Sequence, residues 1–109
     1  MKQNMEHTRL LVLSLLSSQD MYGYQMIAEL ERKFDKTFSM KEGTLYPILR
    51  ALENEGALQS YNQDTPAGRV RKYYSLTKKG AALLNEEAER WRAYEKAINS
   101  VVGMAKGLA

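Results

Sequence analysis

The sequence predicts a mainly α domain with one β-hairpin (α+β), extended by a long C-terminal helix. Three observations predict it. Apolar residues recur at three- and four-residue spacing through the first half of the chain. The period drops to two between about residues 57 and 76. Helical spacing then returns from Thr77 to about residue 102. With 109 residues, 44% hydrophobic and 27% charged, the chain has enough apolar material for one core, not two, and is not disordered by composition.

The first helix is expected over about 5–17, around the run Leu10-Leu11-Val12-Leu13-Ser14-Leu15-Leu16. With Lys2 ahead and Ser17-Ser18 behind, this run loosely mimics a secretion signal. It is short for one, however, Glu6 precedes it, and no A-x-A-like site follows. A buried helix explains the same residues without discarding part of a small core. No apolar stretch approaches the ~20 residues needed to cross a bilayer. Asp20-Met21-Tyr22-Gly23-Tyr24 reads as a turn in which Gly23 relaxes the backbone. A second helix follows over about 23–34, with Ile27, Leu30 and Phe34 on one face. Asp35-Lys36-Thr37 reads as a connection, and Phe38 and Met40 tuck back toward the core.

A third helix is expected over about 41–55, since Leu45, Ile48, Leu49 and Leu52 form one apolar stripe. Pro47 lies early in it, where a missing N–H is expected to cost no intrahelical bond. Gly56 ends the helix in the C′ position. Residues 57–62 and 69–76 read as strands around a polar turn, Gln63-Asp64-Thr65-Pro66-Ala67-Gly68. Such a hairpin needs the helices for support. Thr77 is the N-cap of the last helix. Three helices followed by a hairpin make a winged helix-turn-helix, with a generic α+β domain as the alternative. Residues 1–76 are expected to form it and residues 77–109 a C-terminal dimerisation helix, as one compact unit.

Cysteine is absent and His7 is the one histidine, which excludes disulfides and thiolate sites and disfavours a His-based metal site or a Ser-His-Asp triad. No carboxylate pair, phosphate loop or nucleophile–base pair falls at a meaningful spacing, so neither an enzyme nor a cofactor is expected. Sixteen Lys and Arg against thirteen Asp and Glu permit a polyanionic partner without demanding one. Distribution says more. From Thr65 to Asn85 stand Arg69, Arg71, Lys72, Lys78 and Lys79 with no acid among them, and Tyr73 and Tyr74 are interleaved. Each phosphate neutralised by such a residue releases counterions, so a basic wing adds affinity without reading sequence. Strand alternation puts Val70, Tyr74 and Leu76 on one side and Arg69, Arg71, Tyr73 and Ser75 on the other. Opposite the apolar stripe of the third helix, Gly43 and Thr44 give the slim first turn that a major groove admits. Lys41 and the free N–H groups beside it suit phosphate oxygens, and Tyr46 and Arg50 can reach phosphates or base edges.

Tyr22-Gly23-Tyr24, Glu42-Gly43-Thr44-Leu45-Tyr46-Pro47-Ile48-Leu49, Leu52-Glu53-Asn54-Glu55-Gly56 and Arg69-Val70-Arg71-Lys72-Tyr73-Tyr74-Ser75-Leu76-Thr77-Lys78-Lys79-Gly80 together resemble the PadR family of transcriptional regulators over nearly the whole chain. The length resembles its small members, which have a single C-terminal helix. The resemblance implies a bacterial cytoplasmic homodimer that binds double-stranded operator DNA, usually as a repressor. It also implies that Lys41, Thr44, Tyr46 and the basic wing residues face DNA.

The last helix points to dimerisation independently. Ala81, Leu84, Ala88, Trp91, Glu95, Ile98 and Val102 follow a coiled-coil seam that a second copy would cover. Leu84, Ala88, Trp91, Ile98 and Val102 are the candidate interface. A two-fold dimer would set two third helices about 34–36 Å apart, matching a palindromic operator. Trp91 and Glu95, one turn apart, are the candidate effector site; the alternative is that Trp91 is interface core and Glu95 pairs with Arg92 or a basic residue across the dimer. A small planar hydrophobic ligand would stack on the rings, and Glu95 would favour a cationic one. The competing reading is a winged-helix protein-interaction module without sequence-specific DNA binding, which lacks a steep salt dependence.

Overall fold

The computed structural model describes residues 5–34, 39–105 and 107. The elements are α1 (Met5–Ser18), β1 (Met21–Tyr22), α2 (Gly23–Phe34), α3 (Glu42–Asn54), β2 (Leu58–Asp64), β3 (Val70–Leu76) and α4 (Lys78–Val102). Apolar stripes decide how they meet. Val12, Leu13 and Leu16 of α1, Met26 and Leu30 of α2, and Leu45, Leu49 and Leu52 of α3 are buried in one cluster. Tyr74 of β3 and Leu58 of β2 seal it from the sheet side. Ile48 is partly buried against the same cluster. Burying each large aliphatic side chain is worth about 1.5–3 kcal/mol, so this cluster holds the winged-helix part together.

The sheet has three strands in the order β1-β3-β2, all antiparallel. This corrects the expected turn at residues 20–24. Met21 pairs with Tyr74 and Tyr22 with Tyr73, and Met21 is only 2% exposed. The first strand of the hairpin runs two residues further than expected, to Asp64 opposite Val70. The tip then closes on Thr65, whose N–H donates to the Arg69 carbonyl at 2.8 Å while its carbonyl accepts from Gly68 N–H at 2.9 Å. Gly68 sits there at φ 80°, which favours glycine. Val70 shares the face of Tyr74 but is 58% exposed, because the hairpin projects past the helices that cover Tyr74. The expected connection at 35–37, the Phe34 side chain and Phe38 lie outside the described residues; Met40 is buried as expected.

Helix α3 ends as its sequence demands. Gly56 takes φ 85° after the cap residue Glu55. Its N–H donates to Glu53 O, and the Ala57 N–H to Leu52 O, the paired closure that leaves no gap before β2. Pro47 corrects another expectation. The helix begins at Glu42, so Pro47 lies inside it and forgoes the bond its N–H would have made to the Gly43 carbonyl. Gly43 is exposed, so that carbonyl is within reach of water.

The junction to α4 explains the spacing of Thr77 and Gly80. The Thr77 hydroxyl donates to Gly56 O at 2.6 Å and accepts from Gly80 N–H at 3.0 Å, capping the helix as expected. A methyl group on Gly80 would overlap the Ala57 carbonyl oxygen. Glycine therefore lets the start of α4 lie directly on the start of β2. From there α4 runs 25 residues, packing on α1 through its first half and standing exposed from Trp91 onward. Among the described residues, no helix is long and apolar enough to cross a membrane.

Candidate nucleic-acid interface

The N-terminal turn of α3 offers its backbone to solvent. Its cap residue, Lys41, is extended and makes no side-chain capping bond; its carbonyl accepts from Thr44 and Leu45 N–H, each at 2.9 Å. Nothing lies within 4 Å of where a side chain on Gly43 would begin. Lys41 and Arg50 are exposed and Thr44 half-buried. With Leu45, Leu49 and Leu52 turned into the core, the opposite face of α3 is free to approach a surface as wide as a groove.

Tyr46 is held more firmly than its exposure suggests. Its ring lies across the start of α2, and a methyl group on Gly23 would stand 2.5 Å from its hydroxyl oxygen. Gly23 thus serves by having no side chain; its φ is not positive, so the expected relaxing of the backbone is not its role. Burial, and then the charge of Glu42, push the Tyr46 phenol above its ordinary pKa. It stays protonated at neutral pH and remains a hydrogen-bond donor. Tyr46, Arg71 and Lys72 meet Tyr22 and Tyr24 around an open cleft of about 190 Å³ between α2, α3 and the hairpin.

The wing's basic residues divide between two faces. Arg71 stacks on the Tyr22 ring, with its guanidinium carbon 4.2 Å from the centroid. Stacking occupies the flat face of the guanidinium and leaves its in-plane N–H donors for other partners. Tyr22 in turn meets Tyr73 edge-on at 5.4 Å, and Tyr73 stacks on Tyr61 at 5.8 Å. The Tyr61 hydroxyl donates to Asp20 at 2.7 Å. This row of tyrosines crosses all three strands. Lys72 points the other way, 5.5 Å above the Tyr74 ring and 3.8 Å from Glu53 of α3, and still 53% exposed. Arg69 is exposed at the tip, with its N–H held by the Thr65 hydroxyl at 3.2 Å.

A family model, the transcriptional regulator PadR-like family, matches residues 12–86, from α1 into α4. The chain belongs to the PadR-like family of transcriptional regulators. Membership implies DNA binding. Transcriptional regulator Rv3488 of Mycobacterium tuberculosis is 35% identical over 95 residues, 87% of this chain and 82% of that protein. A PadR family transcription regulator from Clostridium difficile is 32% identical with a TM-score of 0.75, covering 88% of this chain and 98% of that one. A transcriptional regulator from Clostridium thermocellum is 32% identical with a TM-score of 0.79, covering 86% and 91%. This chain therefore shares the winged-helix PadR-like architecture as well as the family's sequence pattern.

The expected interface on α4 divides at Trp91. Leu84 and Ala88 are half-buried, with Leu84 packed against the chain's own core. Trp91, Ile98 and Val102 are 37%, 44% and 48% exposed. Trp91 meets His7 edge-on at 5.0 Å and Tyr94 at 6.0 Å, beside a hollow of about 210 Å³ that Arg9 and Arg90 also line. Glu95 lies at a separate, open groove with Arg92 and Lys96. Among the described residues, Trp91 and Glu95 line two different hollows.

Sequence reasoning missed three contributors. The stacking of Arg71 on Tyr22 hangs on β1, whose two residues are too few to show a period, and the steric role of Gly23 hangs on Tyr46, on another helix. Arg9, which bonds to α3 and α4, carries no sequence signal at all: one arginine on a helix gives no hint of its partners 46 and 78 residues away.

Proposed function

We propose that the chain is a cytoplasmic repressor of transcription that binds a palindromic operator as a homodimer. Two α3 helices enter successive major grooves, about 34–36 Å apart. Lys41, Thr44, Tyr46 and Arg50 meet phosphates and base edges, while Arg69, Arg71 and Lys72 of each wing add sequence-independent affinity. The observation that carries this reading is the first turn of α3: an extended Lys41 without a side-chain cap, and open space over Gly43, beside a basic hairpin that projects past the core. Dimerisation is supported by the apolar residues left exposed at helical spacing along the distal half of α4. A small planar effector, hydrophobic or cationic, acts at Trp91 and Glu95 once a second copy closes the space around them. It releases DNA only by preferring one separation of the two α3 helices over another.

A gel shift with the DNA immediately upstream of the gene tests the reading. The logarithm of affinity falls steeply with the logarithm of salt concentration. Arg71→Ala weakens binding to all sequences alike and lowers the salt slope by about one. Arg50→Ala costs about 1–3 kcal/mol and relaxes specificity as well. Full binding by both variants would show that the interface lies elsewhere. Salt-independent binding to a protein partner would favour the interaction-module alternative.

A further inference from the structure

Arg9 ties three helices together. From α1 it reaches Glu55, the residue that closes α3, with both terminal nitrogens: Nη1 donates to Oε2 and Nη2 to Oε1, each at 2.9 Å. Its Nε donates to Oε2 of Glu87, on α4, at 3.4 Å. Arg90 approaches the same Glu87 oxygen at 3.9 Å. A planar guanidinium gripped on two edges by two carboxylates cannot rotate without breaking one grip, so the fork fixes direction as well as distance.

The path along the chain from α3 to α4 is long. It leaves α3 at Glu55, goes out along β2, turns at the tip and returns along β3. The two helices also meet directly, where the Thr77 hydroxyl of the α4 cap donates to Gly56 O; a second route through space crosses α1, which packs on both helices. Arg9 stands on that route. Its side chain is 30% exposed and that of Glu55 is 44% exposed. Ion pairs at such exposure add little to stability, so the consequence of this one lies in geometry. The Arg9 bonds hold the Glu55 carboxyl below its ordinary pKa, which keeps the fork charged at neutral pH.

We propose that Arg9 is a positioning residue that fixes the angle between the recognition helix α3 and the C-terminal rod α4. It thereby sets the separation of the two α3 helices that a dimer presents to an operator. The inference rests on the dimeric, DNA-binding reading above. Leverage makes it consequential. Helix α4 has 25 residues and so spans about 37 Å, and a swing of about 5° at its base moves its far end by about 3 Å. That is close to the ~3.4 Å rise of one base pair.

Arg9→Lys is the informative variant, because it keeps the charge and loses the fork. Two measurements test it. The first is binding to operator duplexes whose two half-sites stand at the natural spacing or one base pair closer or further apart. Wild type is expected to favour one spacing by about tenfold or more, and Arg9→Lys to favour it by less than about threefold. The second is the distance between nitroxide labels at Ala51→Cys on α3 and Asn99→Cys on α4, in a chain without native cysteine. The labelled chain is diluted into unlabelled excess so that one chain is read, without DNA. A narrow distribution in wild type and a broad or shifted one in Arg9→Lys supports the fork as the positioning device. Unchanged spacing preference together with unchanged label distances overturns it. Failure of wild type to bind any duplex removes the functional reading and the operator consequence with it; the label distances alone then decide whether Arg9 fixes the helix angle.

Discussion

In α3, Leu45, Leu49 and Leu52 are fully buried by the rest of their own chain. In the distal half of α4, Trp91, Ile98 and Val102 repeat at helical spacing, yet stand 37%, 44% and 48% exposed. The two stripes look alike in sequence. They differ in what the fold sets opposite them: α3 faces α1, α2 and the sheet, whereas α4 outruns α1 and, among the described residues, stands exposed beyond it. Apolar periodicity therefore says that a helix face wants cover, and only packing says whether the chain supplies it.

Paired truncations separate these cases, and the first is the largest effect expected. Leu49→Ala removes packing that exists within one chain, so unfolding is destabilised by about 2–5 kcal/mol at every protein concentration. Ile98→Ala leaves the unfolding of a dilute chain within about 0.5 kcal/mol of wild type. It lowers Tm only at concentrations where wild type is dimeric, because association stabilises by mass action. Thermal melts across a wide concentration series check both. An Ile98→Ala loss as large in dilute samples as in concentrated ones would mean that α4 is covered by its own chain after all.

A second pair contrasts two glycines. Gly80 is closed in by the Ala57 carbonyl, whereas Gly43 has nothing within 4 Å. Gly80→Ala must push α4 off β2 and is expected to destabilise by about 1–3 kcal/mol. Gly43→Ala, in an exposed helix turn, is expected to stabilise by about 0.5–1 kcal/mol while weakening operator binding, since the new methyl thickens the face that approaches DNA. Melting curves and gel shifts on both variants read the two effects separately. Stabilisation without any loss of DNA binding would remove Gly43 from the interface.

The same contrast explains what could be read from sequence. The stripe of α3, the glycine closing it and the Thr77 cap were legible because each is a local rule acting within a few residues. The hairpin was legible from its change of period, although its tip was placed two residues early, since Gln63 and Asp64 are polar strand residues exposed to water. Strand β1 was not legible: two residues show no alternation, and Met21 becomes a strand only because β3 passes beside it. The division of the wing was half legible. Alternation separated Arg71 from Val70 and Tyr74, but it could not show Arg71 lying on Tyr22 or Lys72 reaching toward Glu53. Contacts between distant positions leave no period, and the Arg9 fork is the extreme case.

The fork also gives the smallest of these effects, in acid. The Arg9 bonds hold the folded Glu55 carboxyl below its ordinary pKa, with the Arg9 charge adding to them and partial burial opposing. In the unfolded chain the same carboxyl returns to about 4.3. Its contribution is therefore complete above that value and is lost as pH falls through the lower folded value. Arg9, raised by the same partner, stays charged across this window and contributes no slope. With Glu55 44% exposed, screening keeps the whole term below about 1 kcal/mol. Other carboxylates titrate in the same range, so wild type alone cannot isolate it. The difference in Tm between wild type and Glu55→Gln does: it is expected to be a few °C near neutral pH and to vanish once the pH has fallen below the lowered folded value of Glu55. About 1 M salt should shrink the neutral-pH difference as well. A difference that persists undiminished into acid would show that Glu55 stabilises the end of α3 by something other than its charge, and would separate the stability of the core from the fork altogether.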